Sequence, residues 1–302
     1  MTRICPHISV CICTYKRPEL LSRLLHELEN QETEGQFKFS ITVVDNDSRQ
    51  SGKNAVDSIK LRSPINIQYF VEPEQNIALA RNKAVDNAEG DFIAFIDDDE
   101  FPVNMWLLSH FNFLKSSMTH GSLGPVLPHY EKTPPKWLLQ GRFFNRPSYK
   151  TGKVLHWNET RSGNVFLNRS IICSFEPAFN PIFGSGGEDK DFFRRYISKG
   201  CIFSWCAEAP VYERIPEARC KRSYLIRRAL LRGKAKARAV PQDVMSVVKS
   251  LLGIFIYTLA LPVTLFLGHY IFMQTLIKGC DHLGNIITLC GFDIIKEKYI
   301  QT

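Results

Sequence analysis

The feature that most constrains this chain is a regular alternation of apolar strands and single helices over residues 7–100. The predicted strands are HISVCICTY (7–15), FSITVVDND (39–47), INIQYFVEP (65–73) and DFIAFIDDDE (91–100). Between them lie segments with helical apolar spacing, the first of which is predicted to open at Pro18. Strands joined by single helices predict a parallel sheet with right-handed crossovers.

Polar and acidic residues follow each of these strands, whose ends read TYKRP, DNDS, EPEQN and DDDE. In an open parallel sheet the ligand lies beyond the carboxyl ends of the strands, so these side chains are predicted to meet at one edge. Asp97 and Asp99 are two apart on an extended segment and project to one side. Carboxylates at that spacing suit Mg²⁺ or Mn²⁺ bridging a diphosphate. The alternative is that the acids only cap the following helix, near 104–114, and face water.

The glycine-rich phosphate loops are missing from this part of the chain. Neither G-x-G-x-x-G nor G-x-x-x-x-G-K-[ST] follows any predicted strand. A nucleotide bound at this edge is therefore expected to present its diphosphate to a metal.

Taken together, the motifs resemble the family 2 glycosyltransferases of the GT-A fold, which are inverting nucleotide-sugar enzymes. The matching pieces occur in family order over about residues 7–200 and read ISVCICTYKRPELLSRLL, ITVVDNDS, QNIALARNKAV, FIAFIDDDEFP, SGNVFL and GSGGEDKDFFRR. The resemblance implies an α/β fold, the Rossmann-like GT-A fold of nucleotide-diphospho-sugar transferases, and glycosyltransferase activity.

The resemblance also implies roles for individual residues. Donor nucleotide binding would fall to Thr14, Tyr15, Arg17, Asp45, Arg81, Asp97 and Asp98. Asp97 and Asp99 would form the Asp-x-Asp motif that holds Mg²⁺ or Mn²⁺. Many relatives read Asp-Asp-Gly-Ser where this chain reads DNDS (45–48), which leaves the nucleobase open. The most common donor in the family is a UDP-sugar.

A second acidic motif, FGSGGEDKDFFRR (183–195), places three glycines before a helix predicted to begin near Glu188. Glycines let the backbone approach a sugar closely, and an inverting displacement needs a carboxylate to accept the proton of the acceptor hydroxyl. The resemblance assigns this role of general base to Asp189, and Glu188 is the second candidate. The alternative is that the helix dipole stabilises these acids and that Asp191 pairs with Arg195, which accounts for Asp191 alone.

The segment VYERIPEARCKRSYLIRRALLRGKAKAR (211–238) resembles the tail of bacterial succinoglycan-type transferases, which build exopolysaccharide repeat units on polyprenyl diphosphate. It implies a polyprenyl-diphosphate-linked saccharide as acceptor, in the biosynthesis of an exopolysaccharide, capsule or lipopolysaccharide. The candidate acceptor-side residues are Asn164, Gly186, Gly187 and Trp157. Aromatic faces suit sugar rings, although Trp157 could equally be a core or rim residue.

The net charge of +8 has its source in one segment. Residues 219–238 contain nine basic residues and no acid, so the rest of the chain is nearly neutral. No helix-turn-helix, zinc finger or stacking platform accompanies the segment, which argues against a nucleic-acid partner. We expect a basic amphipathic helix on an anionic membrane surface. The alternative is a solvated helix face.

Residues 250–277 contain no Lys, Arg, Asp or Glu. As one helix they would extend about 42 Å, enough for a tilted span of a hydrocarbon core of about 30 Å. Alternatively, Pro262, with Gly268 and His269 behind it, breaks the run into two short helices that enter one leaflet and return, or the run is a buried helix pair of a soluble protein. The preceding basic segment favours the cytoplasmic face of the bacterial inner membrane, with a peripheral or monotopic attachment.

The nine cysteines, without a C-x-x-C pair, fit a reducing compartment.

The predicted domains are therefore a GT-A catalytic domain, 1–213, and a membrane-associating region, 214–302, with the basic amphipathic helix and the hydrophobic helices. Two alternative functions stay open. A sugar-nucleotide nucleotidyltransferase would share a similar sheet, but its usual glycine-rich basic N-terminal loop is missing here. A non-catalytic membrane scaffold could retain a transferase-like domain, but the intact Asp97, Asp99 and Asp189 count against it.

Overall fold

The structure, a computed structural model, describes residues 5–172, 174–184, 186–239 and 243–292. Ser185 of the glycine-rich motif, Cys173, the side chain of Arg238 and the last ten residues of the predicted membrane-associating region, 293–302, lie outside the description. Contacts divide the chain into two compact units, one of Met1–Pro128 and Arg146–Arg214, the other of His129–Asn145 and Ile215–Thr302. The division of function after residue 213 remains a prediction, and the contact units group 129–145 with the C-terminal region.

The strands are, in chain order, β1 His7–Thr14, β2 Lys38–Asp45, β3 Asn66–Val71, β4 Phe92–Ile96, β5 Glu100–Pro102, β6 Gly121–Leu123, β7 Val126–Tyr130, β8 Asn164–Asn168, β9 Phe203–Trp205 and β10 Val211–Ile215. Seven of them form one sheet in the order β3-β2-β1-β4-β8-β6-β9. The pairings β1–β2, β2–β3 and β1–β4 are parallel, which confirms the predicted parallel sheet. Strand β8 runs antiparallel to both β4 and β6.

The helices are α1 Pro18–Glu29, α2 Lys53–Lys60, α3 Ile77–Asp86, α4 Trp106–Ser116, α5 Lys136–Gln140, α6 Arg169–Ile172, α7 Glu188–Ser198, α8 Arg222–Ala239, α9 Val244–Leu267 and α10 His269–Leu289. Single 3-10 turns occupy Trp157–Glu159, Pro181–Phe183 and Glu217–Cys220. The predicted starts at Pro18 and Glu188 are confirmed.

Both faces of the large sheet are buried, as the near-continuous apolar strands require. Ile8, Val10 and Ile12 of β1 belong to one core cluster, and Cys11, between them, belongs to the other. This alternation follows from the two-residue period of a strand. The sheet therefore gives the strand ends at its carboxyl edge a rigid support.

In the second unit, α10 packs against α8 and α9. Gly284 allows the closest approach, since a Cβ atom there would come within 2.2 Å of the Leu230 carbonyl oxygen on α8. Between α10 and α9, the Asn285 amide donates a buried hydrogen bond of 2.9 Å to the Ser250 hydroxyl. A buried polar contact thus joins α9 to α10.

The uncharged run is broken into two helices, at Gly268 and not at Pro262. Helix α9 continues through Pro262, which removes one backbone N–H donor but leaves the neighbouring turns helical. The helix ends at Gly268, whose φ of 135° lies in a region that favours glycine over other residues. The run therefore forms two helices that meet at Gly268, which the break alternative named together with Pro262, and not one helix over 250–277.

Candidate active site

The candidate site lies at the carboxyl ends of β1 and β4, which are parallel neighbours in the sheet. From β1 the chain moves outward to β2 and β3, and β4 then returns to the opposite side of β1. Such a reversal of strand order opens a crevice at the sheet edge, where ligands of α/β proteins bind. The segments 14–17 and 97–99 follow these two strands and are brought together there.

Asp98 and Asp99 both contact the segment that follows β1. The Asp98 carboxylate accepts hydrogen bonds from the Thr14 hydroxyl at 2.8 Å and from Arg17 Nη1 at 3.0 Å. Arg17 Nη1 also lies 3.5 Å from Asp99 Oδ2. Burial raises the pKa of Asp98 to about 6, although the Arg17 guanidinium opposes this shift. Arg17 therefore compensates two of the three consecutive aspartates.

Arg81 on α3 is the central cation of the site. One end of its guanidinium, Nη2, lies 3.3 Å from Asp97 Oδ1, and the other end pairs closely with Glu188 on α7. The Arg81 side chain is only 8% exposed. Burial alone would lower the pKa of Arg81, but the Glu188 and Asp97 carboxylates raise it, so this arginine stays charged. It joins the predicted metal motif to the predicted base motif.

The residues present fit a divalent metal shared with a substrate. Among the described residues, no cluster of three or more His, Cys, Asp or Glu side chains is arranged to hold an ion by itself. Asp97, 43% exposed, and Asp99, 14% exposed, offer hard carboxylate oxygens. Mg²⁺ commonly binds through one or two carboxylates and completes its coordination with water and substrate phosphates. The donor set suits such an ion and does not form an all-protein cage.

The first turn of α7 gives its two candidate bases different surroundings. Glu188 is 5% exposed and is held as the counterion of Arg81. Asp189 is half-buried and, within the described residues, forms no ion pair, while its Oδ1 accepts the backbone N–H of Lys190 at 2.7 Å. Asp191 pairs with Arg195 at 2.7 Å, which confirms the structural reading of that acid. Of the three acids, Asp189 is the one without an ion pair among the described residues.

Two predicted donor-binding residues differ in accessibility. Tyr15 is half-buried directly after β1. Asp45 is fully buried, and its carboxylate accepts hydrogen bonds from the N–H groups of Asp47 (3.0 Å) and Gly52 (2.6 Å) and from the Tyr69 hydroxyl (2.8 Å). The side chain of Asp45 therefore fixes the conformation of the loop after β2 by accepting backbone N–H groups of that loop.

The predicted acceptor-side residues differ in burial. Asn164 is fully buried: its amide donates to the carbonyls of Pro125 (3.0 Å) and Ala209 (2.8 Å), and its carbonyl accepts from Trp106 Nε1 (2.9 Å). Asn164 holds the core together, so we omit it from the acceptor contacts proposed below. Trp157 is 36% exposed.

Gly186 and Gly187 are exposed at the start of α7, with φ of 124° and 95°. A side chain at either position would strain the backbone, because L residues rarely adopt these φ values. The glycines therefore allow the chain to turn sharply into the helix that carries Asp189. This requirement explains them without any contact to a sugar.

Sequence reasoning missed a buried charge network beside the aspartates. Glu100 is 2% exposed and lies opposite Glu213 in the β5–β10 pairing. Arg146 pairs closely with Glu213 and lies 3.8 Å from Glu100. Gly163 makes room for these acids, since a Cβ atom there would come within 2.8 Å of Asp97 Oδ2 and Glu100 Oε1. Only Glu100, the fourth acid of the DDDE run, carried a signal in the sequence.

Solved structures share this arrangement of the sheet and helices. Mannosyltransferase PcManGT from Pyrobaculum calidifontis, in complex with GDP-Man and Mn²⁺, matches with a TM-score of 0.64 and 16% identity, over 96% of this chain and 89% of that chain. S. aureus TarS 1-349, in complex with UDP-GlcNAc, matches with a TM-score of 0.57 and 14% identity, over 94% and 92%. The fold is therefore that of the GT-A glycosyltransferases.

The model of glycosyl transferase family 2 matches residues 9–174, more than half of the chain. The chain belongs to this family and is a glycosyltransferase, as its motifs predict. It is 33% identical to the succinoglycan biosynthesis protein ExoM of Rhizobium meliloti over 240 residues, 78% of this chain and 76% of the relative.

A second relative is the GalNAc(5)-diNAcBac-PP-undecaprenol beta-1,3-glucosyltransferase of Campylobacter jejuni. It is 31% identical over 98 residues, which cover 32% of this chain and 30% of that enzyme. The match to family 2 sets aside the nucleotidyltransferase and scaffold alternatives.

Proposed function

We propose that this enzyme is an inverting, metal-dependent transferase that moves a sugar from a nucleotide-diphosphate sugar, with UDP as the leading nucleotide, to a hydroxyl of a polyprenyl-diphosphate-linked saccharide. The reaction belongs to bacterial surface polysaccharide biosynthesis at the cytoplasmic face of the inner membrane. The observation that carries the proposal is that Arg81 pairs with Asp97 of the acidic run and with Glu188, the neighbour of Asp189 in the first turn of α7.

The donor end of the site is assigned to the segments after β1 and β4. Thr14 and Arg17 hold Asp98 in place, and Tyr15 is accessible beside them for a nucleoside. A divalent ion, Mg²⁺ or Mn²⁺, held by Asp97 and Asp99 would offset the charge of the departing nucleotide diphosphate. Complexes of the structural neighbours with UDP-GlcNAc, or with GDP-Man and Mn²⁺, support this chemistry.

The acceptor end is assigned to Asp189. Its carboxylate takes the proton of the acceptor hydroxyl, and the resulting oxygen nucleophile attacks the anomeric carbon opposite the leaving group. One displacement of this kind inverts the configuration. Glu188 is committed to Arg81, which supports Asp189 as the single base and leaves no second carboxylate of α7 for a covalent intermediate.

The lipid-linked acceptor rests on the relatives. One relative is named for succinoglycan biosynthesis and another for transfer to an undecaprenol-PP saccharide. The accessible Trp157 offers an aromatic face at the acceptor end, since its 3-10 turn packs against α7.

The membrane attachment is assigned to α9 of the second unit. In the part of the chain that the structure describes, this helix alone is long and apolar enough to cross a membrane, with a mean hydropathy of 2.1. Its buried residues are Ser250 and Thr264, whereas its exposed ones include Leu251, Phe255, Ile256, Leu259, Val263 and Phe266. A helix that exposes so many large apolar side chains suits lipid as its solvent.

Helix α8 adds basic residues, of which Arg222, Arg232 and Lys236 are exposed, while Lys234 is buried and unsuited to contact a lipid headgroup. Arg232 is engaged with Asp281 on α10 through two contacts of 3.0 Å. The anionic surface is therefore expected to contact fewer cations than the sequence suggests.

The direct test is a donor screen on membranes that contain the full chain. Radiolabelled nucleotide sugars are supplied one at a time with Mg²⁺ or Mn²⁺, and label is followed into a lipid extract. The proposal expects one donor to label the extract, with release of the nucleoside diphosphate and with the opposite anomeric configuration in the product. Retention of configuration, or label that reaches only water-soluble acceptors, would contradict it.

A further inference from the structure

One arginine of the first unit lies on a loop that joins the two halves of the site. Arg161 follows Thr160, whose carbonyl accepts a hydrogen bond of 2.6 Å from Lys190 Nζ on α7. Two residues later, Gly163 lies against Asp97, with room for no Cβ atom between them. The loop is therefore anchored to the base helix at one end and to the metal acids at the other, with Arg161 between the anchors.

The guanidinium of Arg161 has no partner among the residues that the structure describes, neither a hydrogen bond nor an ion pair within 4 Å. The charged groups near it are Arg146, Asp189, Glu100, Glu213 and Lys190. Burial and the Arg146 guanidinium lower the pKa of Arg161, against the weaker opposing effect of the acids. Arg146, by contrast, is committed to the buried glutamates.

A half-buried guanidinium without a partner lowers the stability of the ligand-free protein, because no hydrogen bond or ion pair offsets its loss of hydration. It becomes favourable once an anion binds. Guanidinium groups bind phosphate oxygens through two parallel hydrogen bonds, with a geometry that lysine does not reproduce. Asp97 and Asp99 pair with Arg81 and Arg17 and form no ion pair with Arg161.

We propose that Arg161 binds a diphosphate group at this site. The inference rests on the proposed function, in which two diphosphates reach the site: that of the nucleotide sugar and that of the polyprenyl-linked acceptor. In either case Arg161 is a binding residue, distinct from the base and from the metal acids.

The test compares Arg161→Gln and Arg161→Lys with the wild type in full-length, detergent-solubilised enzyme. Arg194→Gln is the matched control, because Arg194 is 58% exposed and its partner Asp191 keeps Arg195 when it is removed. Calorimetry with Mg²⁺ measures the affinity for UDP, GDP, CDP, ADP and dTDP, and for the matching nucleoside. Initial rates give KM for the lipid-linked acceptor.

If the diphosphate belongs to the donor, Arg161→Gln weakens nucleoside diphosphate binding by about tenfold or more, Arg161→Lys weakens it less, and nucleoside binding is unchanged. If it belongs to the acceptor, nucleoside diphosphate affinity is retained and KM for the lipid-linked acceptor rises by a similar factor. Melting temperatures do not fall below the wild-type value in either case, since Arg161 loses no partner among the described residues and an uncompensated charge is removed.

Wild-type enzyme that binds a nucleoside diphosphate, together with an Arg161→Gln variant unchanged in both affinity and acceptor KM, would overturn the role of Arg161 and leave the proposed function standing. Wild-type enzyme that binds none of the five nucleoside diphosphates would instead overturn the proposed function, and this inference with it.

Discussion

Arg81 Nη2 lies 3.3 Å from Asp97 Oδ1, an ion pair that connects α3 to the end of β4. Because the other end of the same guanidinium binds Glu188, a single buried cation fixes the distance between the metal acids and the base helix. Catalysis of group transfer depends on such positioning, since small displacements of the reacting groups are costly. Asp99 and Asp189 are therefore expected to act in the reaction, whereas Glu188 is expected to keep the site in shape.

The Asp99→Ala change is expected to lower donor-dependent transfer by about a hundredfold or more, because the carboxylate that helps to hold the divalent ion is lost. Stability should change little, since Arg17 keeps Asp98 as its partner at 3.0 Å. Transfer and melting temperature are measured with Mg²⁺ and with EDTA. Asp57→Ala, on the exposed face of α2, is the matched control. Wild-type activity that persists in EDTA would refute the metal role.

Asp189→Asn and Glu188→Gln are expected to fail in different ways. Asp189→Asn should lower turnover by about 10²–10⁴-fold, because no base remains to take the acceptor proton, while nucleotide binding is kept. Glu188→Gln should lower the free energy of unfolding by about 3 kcal/mol, because the buried Arg81 loses its closest counterion. Single-turnover rates, calorimetric binding and chemical denaturation distinguish the two. An unimpaired Asp189→Asn would reject this residue as the base.

His110 is expected to make stability depend on pH. It is fully buried, and burial lowers its pKa to about 4, a shift that its hydrogen bond to Asn164 opposes. Below pH 6.5 the unfolded chain therefore binds a proton that the folded chain excludes, so this contribution to stability is lost as the pH falls from about 6.5 towards 4, by up to about 3 kcal/mol.

The measurement is the difference in unfolding free energy between pH 7 and pH 4.5 for the wild type and for His110→Gln. Titrating carboxylates such as Asp98 are present in both proteins and cancel in the comparison. The wild type should lose more stability than the variant. Parallel pH profiles would show that His110 is not the source.

The double change Phe255→Asp and Leu259→Asp is expected to release the enzyme from anionic liposomes. Both side chains are 62% exposed on α9, so the substitution removes apolar surface from the lipid without disturbing a core. Leu61→Asp is the matched control, because Leu61 is 91% exposed but lies after α2 in the other unit. Cosedimentation that is equal for both variants would argue against α9 as the membrane contact.

Local patterns were sufficient to predict much of the sheet. The strands β1 to β4, the opening of α1 at Pro18 and the start of α7 at Glu188 follow from apolar periodicity and from helix-terminal residues close in sequence. The meeting of the segments after β1 and β4 also follows, because parallel strands end at the same edge.

Long-range pairings could not be predicted in this way. The Asn164 amide donates to carbonyls 39 and 45 residues away, which makes it a core residue although its motif suggested a sugar contact. Arg146 meets Glu213 across 67 residues, and no local pattern marks either one. The position of the break reflects a similar limit, since α9 continues through Pro262 and ends only at Gly268.

The arginines at 17 and 81 have a practical consequence for handling the enzyme. All three aspartates of the DDD run already have a cationic partner in the protein itself. Removal of the metal by a chelator should therefore leave a folded apoenzyme that can be stored, because the metal is not needed to stabilise the fold. Dialysis against EDTA followed by addition of Mn²⁺ is expected to restore activity in full without a refolding step, and ions can be exchanged one against another in a single preparation.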